Sequence, residues 1–223
     1  MLITTLIILY IFTFILLLVS SIRNNESKHR FIFKMINCSL FVIISIVSFY
    51  LKEVDYNYFI PLIIAQGLSL LGDIFLGLKH ISNHKTFGPL GVLFFGLAQI
   101  LFIITFIYNY GFNYYLLFIP VLGLIIGEFI LYKLNIHELK MKVAIGFYMI
   151  LMTSMFMVSL GSLINGVNNA TILVAIGGFS FMISDYTLIF KYYYPSKRRT
   201  FTIVSVSTYA IAQLLFSLSI FVF

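Results

Sequence analysis

The sequence has no tryptophan, one cysteine and four prolines, and only 9% of its 223 residues are charged. Each scarcity excludes something. A soluble domain carries roughly 25% charged residues, and a chain this poor in charge could not cover a water-facing surface. The lone Cys38, set in an apolar run, permits neither a disulfide framework nor a cysteine metal cluster. No apolar run has a proline near its centre; Pro61 lies near the entrance of one and Pro120 near the end of another. Acids are scarcer than bases, with 7 Asp and Glu against 14 Lys and Arg. What fills the chain instead is apolar: 61% hydrophobic residues, with 25 Phe and 15 Tyr. That composition suits contact with lipid.

About 20 apolar residues cross the ~30 Å hydrocarbon core of a bilayer. Eight stretches qualify: Leu2–Ile22, Phe31–Leu51, Tyr58–Leu78, Phe87–Tyr108, Tyr114–Tyr132, Val143–Ile164, Ala170–Phe190 and Phe201–Phe223. They are apolar all round, with none of the alternation of a β-barrel. Backbone groups in lipid must bond within their own segment, so each stretch is expected to be a helix. Links such as Asn109–Asn113 and Asn165–Asn169 are short and force neighbours antiparallel. The first stretch has no basic leader and no A-x-A site after it, and reads as a retained helix. The expectation is an all-α polytopic membrane protein with eight transmembrane helices in a single domain over residues 1–223.

Of the 14 Lys and Arg, all but Lys52 fall in the loops after helices one, three, five and seven or, for Lys34, at the start of helix two. The positive-inside rule makes that side cytoplasmic and places both termini outside. A multi-pass protein of a bacterial inner membrane is the expected setting. The same dispersal removes the case for nucleic-acid binding, since the bases form no stripe.

The halves carry matched landmarks. Leu71-Gly72-Asp73 in helix three parallels Ile183-Ser184-Asp185 in helix seven, and Leu97-Ala98-Gln99 in helix four parallels Ile211-Ala212-Gln213 in helix eight. An offset of four helices leaves both halves in the same orientation, as in a parallel repeat about an axis along the membrane normal. Such a four-plus-four repeat would bring the two aspartate helices together; chance among apolar helices is the alternative.

An ionisable residue within a span is costly and points to function. Counting from the helix ends puts Asp73, Glu128 and Asp185 about 6–8 Å inside the cytoplasmic boundary. Asn37 and Tyr148 reach a similar level, and Gln66, Gln99 and Gln213 lie nearer the midplane. Gln66, Ser69, Asp73 and Gly77 share one helical face; Tyr209 and Gln213 share another. Intramembrane glutamines also serve as interhelical glue, and Glu128 follows a Gly123-x-x-x-Gly127 packing pattern. Neither Asp73 nor Asp185 has a cation at i±3 or i±4, which argues against a local ion pair. His29, His80, His84 and His137 read as loop residues, and no metal site is expected. Two carboxyls in low dielectric can divide one proton between them, the arrangement of a general acid and a general base. At this depth they would meet the linkage region of a lipid.

Gly72-Asp73, the Phe95-Gly96-Leu97-Ala98-Gln99 stretch, Tyr148 with Met155, Gly177-Gly178-Phe179-Ser180-Phe181-Met182-Ile183-Ser184-Asp185 and Tyr209-Ala210-Ile211-Ala212-Gln213 resemble the YhhN family, which includes the lysoplasmalogenases. The resemblance runs from helix three to helix eight. Gln99 stands where many members carry histidine, and Glu128 matches no part of the pattern. The resemblance implies hydrolysis of the vinyl-ether bond of lysoplasmalogen, a lysophospholipid substrate met within the membrane, giving a fatty aldehyde and a glycerophospho-base. It maps the two family aspartates onto Asp73 and Asp185 as catalytic residues. Asn37, Gln66, Gln99, Glu128, Tyr148, Ser184, Tyr209 and Gln213 are expected to line the substrate site, with no cofactor. The main alternative is a proton-coupled transporter of a small or lipid-like solute, which intramembrane carboxyls and a parallel repeat also suit. An aspartyl intramembrane protease fits less well, because its two acids lie on adjacent helices.

Overall fold

The computed structural model describes all residues except 24–26, 83, 113, 115–117, 134–138 and 194–197. The described residues form eight α-helices: α1 (Leu2–Arg23), α2 (Lys28–Lys52), α3 (Tyr56–Ser82), α4 (Phe87–Tyr110), α5 (Ile119–Lys133), α6 (Leu139–Asn165), α7 (Asn169–Tyr193) and α8 (Arg198–Val222). Polar residues mark their ends. Ser27 caps α2 by accepting from the Arg30 amide at 3.2 Å, which satisfies one of the orphan donors of a first turn. Glu53 closes the same helix in the left-handed region at φ 49°, its N–H on the Phe49 carbonyl. Before α7, Asn168 and Thr171 exchange backbone N–H bonds with each other's side-chain oxygens, both at 2.9 Å, a reciprocal box.

Among the described residues seven helices are long and apolar enough to cross a membrane. The exception is α5. Its 15 residues span ~22 Å at 1.5 Å per residue, less than the hydrocarbon core. The stretch expected from Tyr114 therefore begins its helix only at Ile119, and residues 115–117 of it lie outside the described residues. The other helices overrun the expected stretches by a few residues, since polar helix ends continue past the apolar part into the interface.

Six helices close a ring in the order α2, α3, α4, α6, α7, α8 and back to α2. Outside the ring, α1 lies against α2 and α8, and α5 against α6 alone among the described elements. Shifting every label by four carries α1–α2 onto α5–α6, α2–α3 onto α6–α7, α3–α4 onto α7–α8 and α4–α6 onto α8–α2. The packing thus repeats with the halves of the chain. It also repeats residue by residue. A shift of 112 takes Gly72, Asp73 and Leu76 to Ser184, Asp185 and Leu188; a shift of 114 takes Gly91, Phe95 and Gln99 to Ser205, Tyr209 and Gln213. In the first half Gly72 and Gly91 meet so closely that a Cβ on either would lie 3.1 Å from the other's carbonyl oxygen. In the second half the matching contact is made by serines, with Ser184 Oγ donating to the Ser205 carbonyl at 2.9 Å. Two contacts break the symmetry. The backbones of α1 and α3 both approach α8, whereas among the described residues those of α5 and α7 do not approach α4, which α7 meets through side chains alone.

Polarity is arranged inside out, as lipid requires. Ile8, Phe12, Ile104 and Phe129 are among many large apolar residues exposed on the outside. Gln66, Gln99, Gln213, Ser45 and Thr105 are buried with both aspartates. Hydrocarbon offers no hydrogen bonds, so polar groups are satisfied within the bundle or not at all. An aromatic cluster fills the centre, with Phe102 and Phe216 at 4.7 Å and Phe181 edge-on to Tyr209 at 5.6 Å.

Candidate active site

The two aspartates come from corresponding turns of α3 and α7 and line one cavity. Asp73 is 1% exposed and Asp185 3%, and the two carboxyls are close enough for their charges to interact. Around them the cavity is walled by Lys34, Asn37 and Cys38 from α2, by Phe95 from α4, and by Ser184, Ser205 and Tyr209. Leu17, Leu76, Leu188 and Val206 supply its apolar side. Its volume is about 40 Å³, room for about three waters where each needs roughly 10–15 Å³ of centre-accessible space. The lining carries three of the repeat's pairs: the aspartates, Leu76 with Leu188, and Phe95 with Tyr209, whose rings meet edge to face at 5.9 Å. The site therefore straddles the pseudo-symmetry axis.

Equivalent in position, the carboxyls differ in partners. Lys34 Nζ lies 2.5 Å from Asp73 Oδ1, and the Cys38 thiol donates to Oδ2 at 3.1 Å. Lys34 also stands 5.9 Å from the centre of the Tyr209 ring. Asp185 has neutral partners only among the described residues. Tyr148 donates its hydroxyl to Oδ2 at 2.7 Å, and Gln99 Nε2 donates to the same oxygen at 2.6 Å. One acid is thus part of an ion pair, and the other is held by two dipoles.

Lys34 supplies from another helix the cation that Asp73 lacks on its own. No cation lies one turn away on α3, but one reaches across from α2. Positive-inside logic counts Lys34 among the topology charges because it sits in the first turns of α2. Its place within an otherwise apolar run was the available signal, since an intramembrane lysine normally has a partner.

The other expected site residues separate by position. Asn37, Ser184 and Tyr209 line the cavity. Asn37 also ties α1 to α2, donating to the Tyr10 carbonyl and to Thr13 Oγ1, both at 3.0 Å. Tyr148 and Gln99 do not border the cavity but hold Asp185 in it. Gln66 is not brought to the site. Its amide accepts from Ser45 and donates to Ser217 Oγ and the Gln213 carbonyl, so it joins α2, α3 and α8 as interhelical glue. The Gln213 side chain is buried without a partner among the described residues and does not border the cavity. Glu128 lies elsewhere altogether. Gly123 and Gly127 face α6, where Cβ atoms would meet Thr153 and Met149 at 3.1 Å, and one residue further turns Glu128 to the exposed side of α5. Depth alone grouped Glu128 with the aspartates; the helix's rotation separates them. Among the described residues no three His, Cys, Asp or Glu side chains gather as a metal site requires; His137 lies outside those residues.

The arrangement offers a carboxylate with a fixed counter-cation, a second carboxyl positioned by neutral donors, room for water and an apolar wall. No curated protein matches the chain, and no solved structure matches it. The family model of the YhhN family matches residues 29–220, from the second residue of α2 almost to the end of α8, and the chain belongs to that family.

Proposed function

We propose that the protein is a membrane-embedded hydrolase that cleaves the vinyl-ether bond of lysoplasmalogen, releasing a fatty aldehyde and a glycerophospho-base. The observation that carries this reading is the pair of aspartates facing one small cavity with different partners, one ion-paired and one not. A vinyl ether is hydrolysed through protonation at the β-carbon, which gives an oxocarbenium ion that water captures at the α-carbon. An uncompensated charge is costly in a dry interior, and a proton on Asp185 leaves the site neutral, so Asp185 is assigned as the donor. Asp73, held as an anion by Lys34, stabilises the oxocarbenium ion. The carboxylate left on Asp185 takes the proton of the attacking water. The resulting hemiacetal collapses as its hydroxyl proton passes to the departing glycerol oxygen. Paired carboxyls serve a comparable cation in glycosidases.

The cavity admits the few atoms of the linkage, while the alkenyl chain lies along Leu76, Leu188 and Val206 and stays in the bilayer. The lysine-rich ends of the helices on that side favour a site near the cytoplasmic leaflet by the positive-inside rule. The test adds lysoplasmalogen to the purified protein and to Asp73→Asn and Asp185→Asn, with aldehyde followed by a coupled dehydrogenase. Release by the wild type and a loss of roughly 10²–10⁴-fold in each variant is expected for removal of a positioned acid or its partner. Unchanged release in both variants removes the mechanism, and none from the wild type removes the substrate. The four-plus-four packing also suits a proton-coupled carrier. Proton-driven solute uptake into vesicles, with no product formed, would favour that reading.

A further inference from the structure

One turn deeper than the carboxyls, several buried polar groups have no protein partner. Ser69 Oγ and both ends of the Gln213 amide have no hydrogen-bond partner among the described residues, and the Tyr209 hydroxyl, beside Asp73 at the cavity, makes no hydrogen bond of good geometry. Ser69 and Gln213 are 0% exposed and Tyr209 8%. A native interior rarely leaves one such group unpaired, because each loses its full hydration. Several in one place call for a ligand.

Their positions define the place. Ser69 is one turn from Asp73 on α3, and Gln213 is one turn from Tyr209 on α8. A turn beyond Ser69, Gln66 donates to the Gln213 carbonyl at 3.3 Å and to Ser217 at 3.0 Å, so these faces of α3 and α8 oppose each other. Gln66 closes the lower end of the seam, with both ends of its amide engaged. At the upper end, Tyr209 and Asp73 border the cavity. Ser69 and the Gln213 amide lie between.

Their chemistry defines the ligand. Two hydroxyls can each donate and accept, and the amide offers two donors and one acceptor. With no ionised group among them, they match a small neutral molecule that makes two to four hydrogen bonds, which is water. We propose that Ser69, Tyr209 and Gln213 hold a file of bound waters on the α3–α8 seam, opening onto Asp73, and that this file supplies the water consumed in hydrolysis. The supply role rests on the hydrolase reading; the water site does not. When a lipid chain covers Leu76, Leu188 and Val206, bulk water loses its way in from that side. The file stands behind the carboxyls. Its leading water adds through oxygen to the α-carbon of the oxocarbenium ion and gives its proton to the Asp185 carboxylate, and the next water moves up.

Radiolytic footprinting with X-rays tests the site, because activated bound water oxidises the side chains it touches. The full chain is exposed in lipid nanodiscs without substrate. Tyr58 is the dry internal standard, 0% exposed with its hydroxyl on Ser219 at 2.7 Å. Tyr209 is expected to oxidise several-fold faster than Tyr58, and the Ser69→Ala/Gln213→Leu double variant is expected to bring it down to the Tyr58 rate. Equal rates for the two tyrosines in the wild type, or a Tyr209 rate unmoved by the double variant, overturns the site. For supply, Ser69→Ala and Gln213→Leu are each expected to lower kcat roughly tenfold at unchanged KM, the pattern of a group used only after binding. Wild-type turnover in both, with Tyr209 labelled as expected, overturns the supply role. Fast labelling in a wild type that releases no aldehyde removes the hydrolase reading and keeps the site.

Discussion

Replacing Lys34 by methionine tests the division between the two acids most directly. The substitution keeps the length of the side chain and removes its charge, leaving Asp73 at 1% exposure with only the neutral Cys38 thiol and Tyr209 hydroxyl beside it among the described residues. Removing one member of a fully buried ion pair costs about 3–5 kcal/mol, because the other charge is stranded. Lys34 keeps 16% exposure, so part of its attraction is already screened, and about 2–3 kcal/mol is the better figure. For a chain of this size each kcal/mol moves the midpoint by roughly 2–4 °C, which gives a fall of roughly 4–12 °C in detergent. Asp73→Asn is expected to cost less. The lysine it strands can swing its long stem toward the headgroups, whereas an aspartate in the middle of α3 has nowhere to go. Lys34→Met/Asp73→Asn removes both charges and is expected to melt near the wild type, since a matched neutral pair avoids desolvation. The assay is thermal unfolding of the four proteins as a double-mutant cycle. Additive losses in the double variant, or a Lys34→Met midpoint within a degree of the wild type, would show that the pair does not hold Asp73 and would remove the basis for assigning the acid.

Three further outcomes follow from the geometry. Tyr148→Phe deletes one of two donors to Asp185 Oδ2 and is expected to lower aldehyde release about 10-fold, the worth of roughly one hydrogen bond at ~1.4 kcal/mol, while far-UV dichroism stays helical. Gly72→Ala places a Cβ 2.8 Å from the Phe95 ring and 3.1 Å from the Gly91 carbonyl oxygen; overpacking of this kind costs about 1–3 kcal/mol, and a lower melting temperature than the wild type checks it. Glu128→Gln, on the exposed side of α5, is expected to change melting and aldehyde release by no more than the ~0.5 kcal/mol typical of a surface substitution, and a loss of activity would place Glu128 back in the site.

The helices were legible because lipid imposes a length and a composition, and both can be counted. Every expected stretch overlaps a helix, and the one poor match, α5, concerns length and not existence. The aspartates stood out for the same reason: an acid in an apolar run has few explanations. What escaped reading was set by rotation and by contact across helices. Glu128 has the depth of Asp73 but faces outward, because Gly123 and Gly127 turn the other side of α5 toward α6. Gln66 shares a stripe with Asp73, yet Ser45 and Ser217 consume its amide before it can serve the cavity. Lys34 looked like one topology charge among many, and only the α2–α3 contact shows whose partner it is. Periodicity fixes which residues share a face, and it is silent on which helix that face meets.

The repeat explains how the acids came to be placed and also how they came to differ. Twofold packing delivers two carboxyls to one axis at one depth, but two equal anions there would repel and neither would have a distinct role. The departures from symmetry fall where they resolve this. On the α2 side the partners of Asp73 are a lysine and a thiol, and on the α6 side the partner of Asp185 is a phenol. Gln99 crosses to Asp185, whereas its counterpart Gln213 leaves its side-chain amide unpaired among the described residues, and Tyr209, in the place of Phe95, brings a hydroxyl to the Asp73 side. A symmetric frame thus fixes the distance between the acids, and the diverged neighbours fix their charges. The same divergence leaves the unpaired groups beside Asp73 on the α3–α8 seam, a close backbone approach that α4 and α7 do not reproduce among the described residues. Water held there would approach the reacting carbon from the side of the anion, with Asp185 free to give and retake the proton.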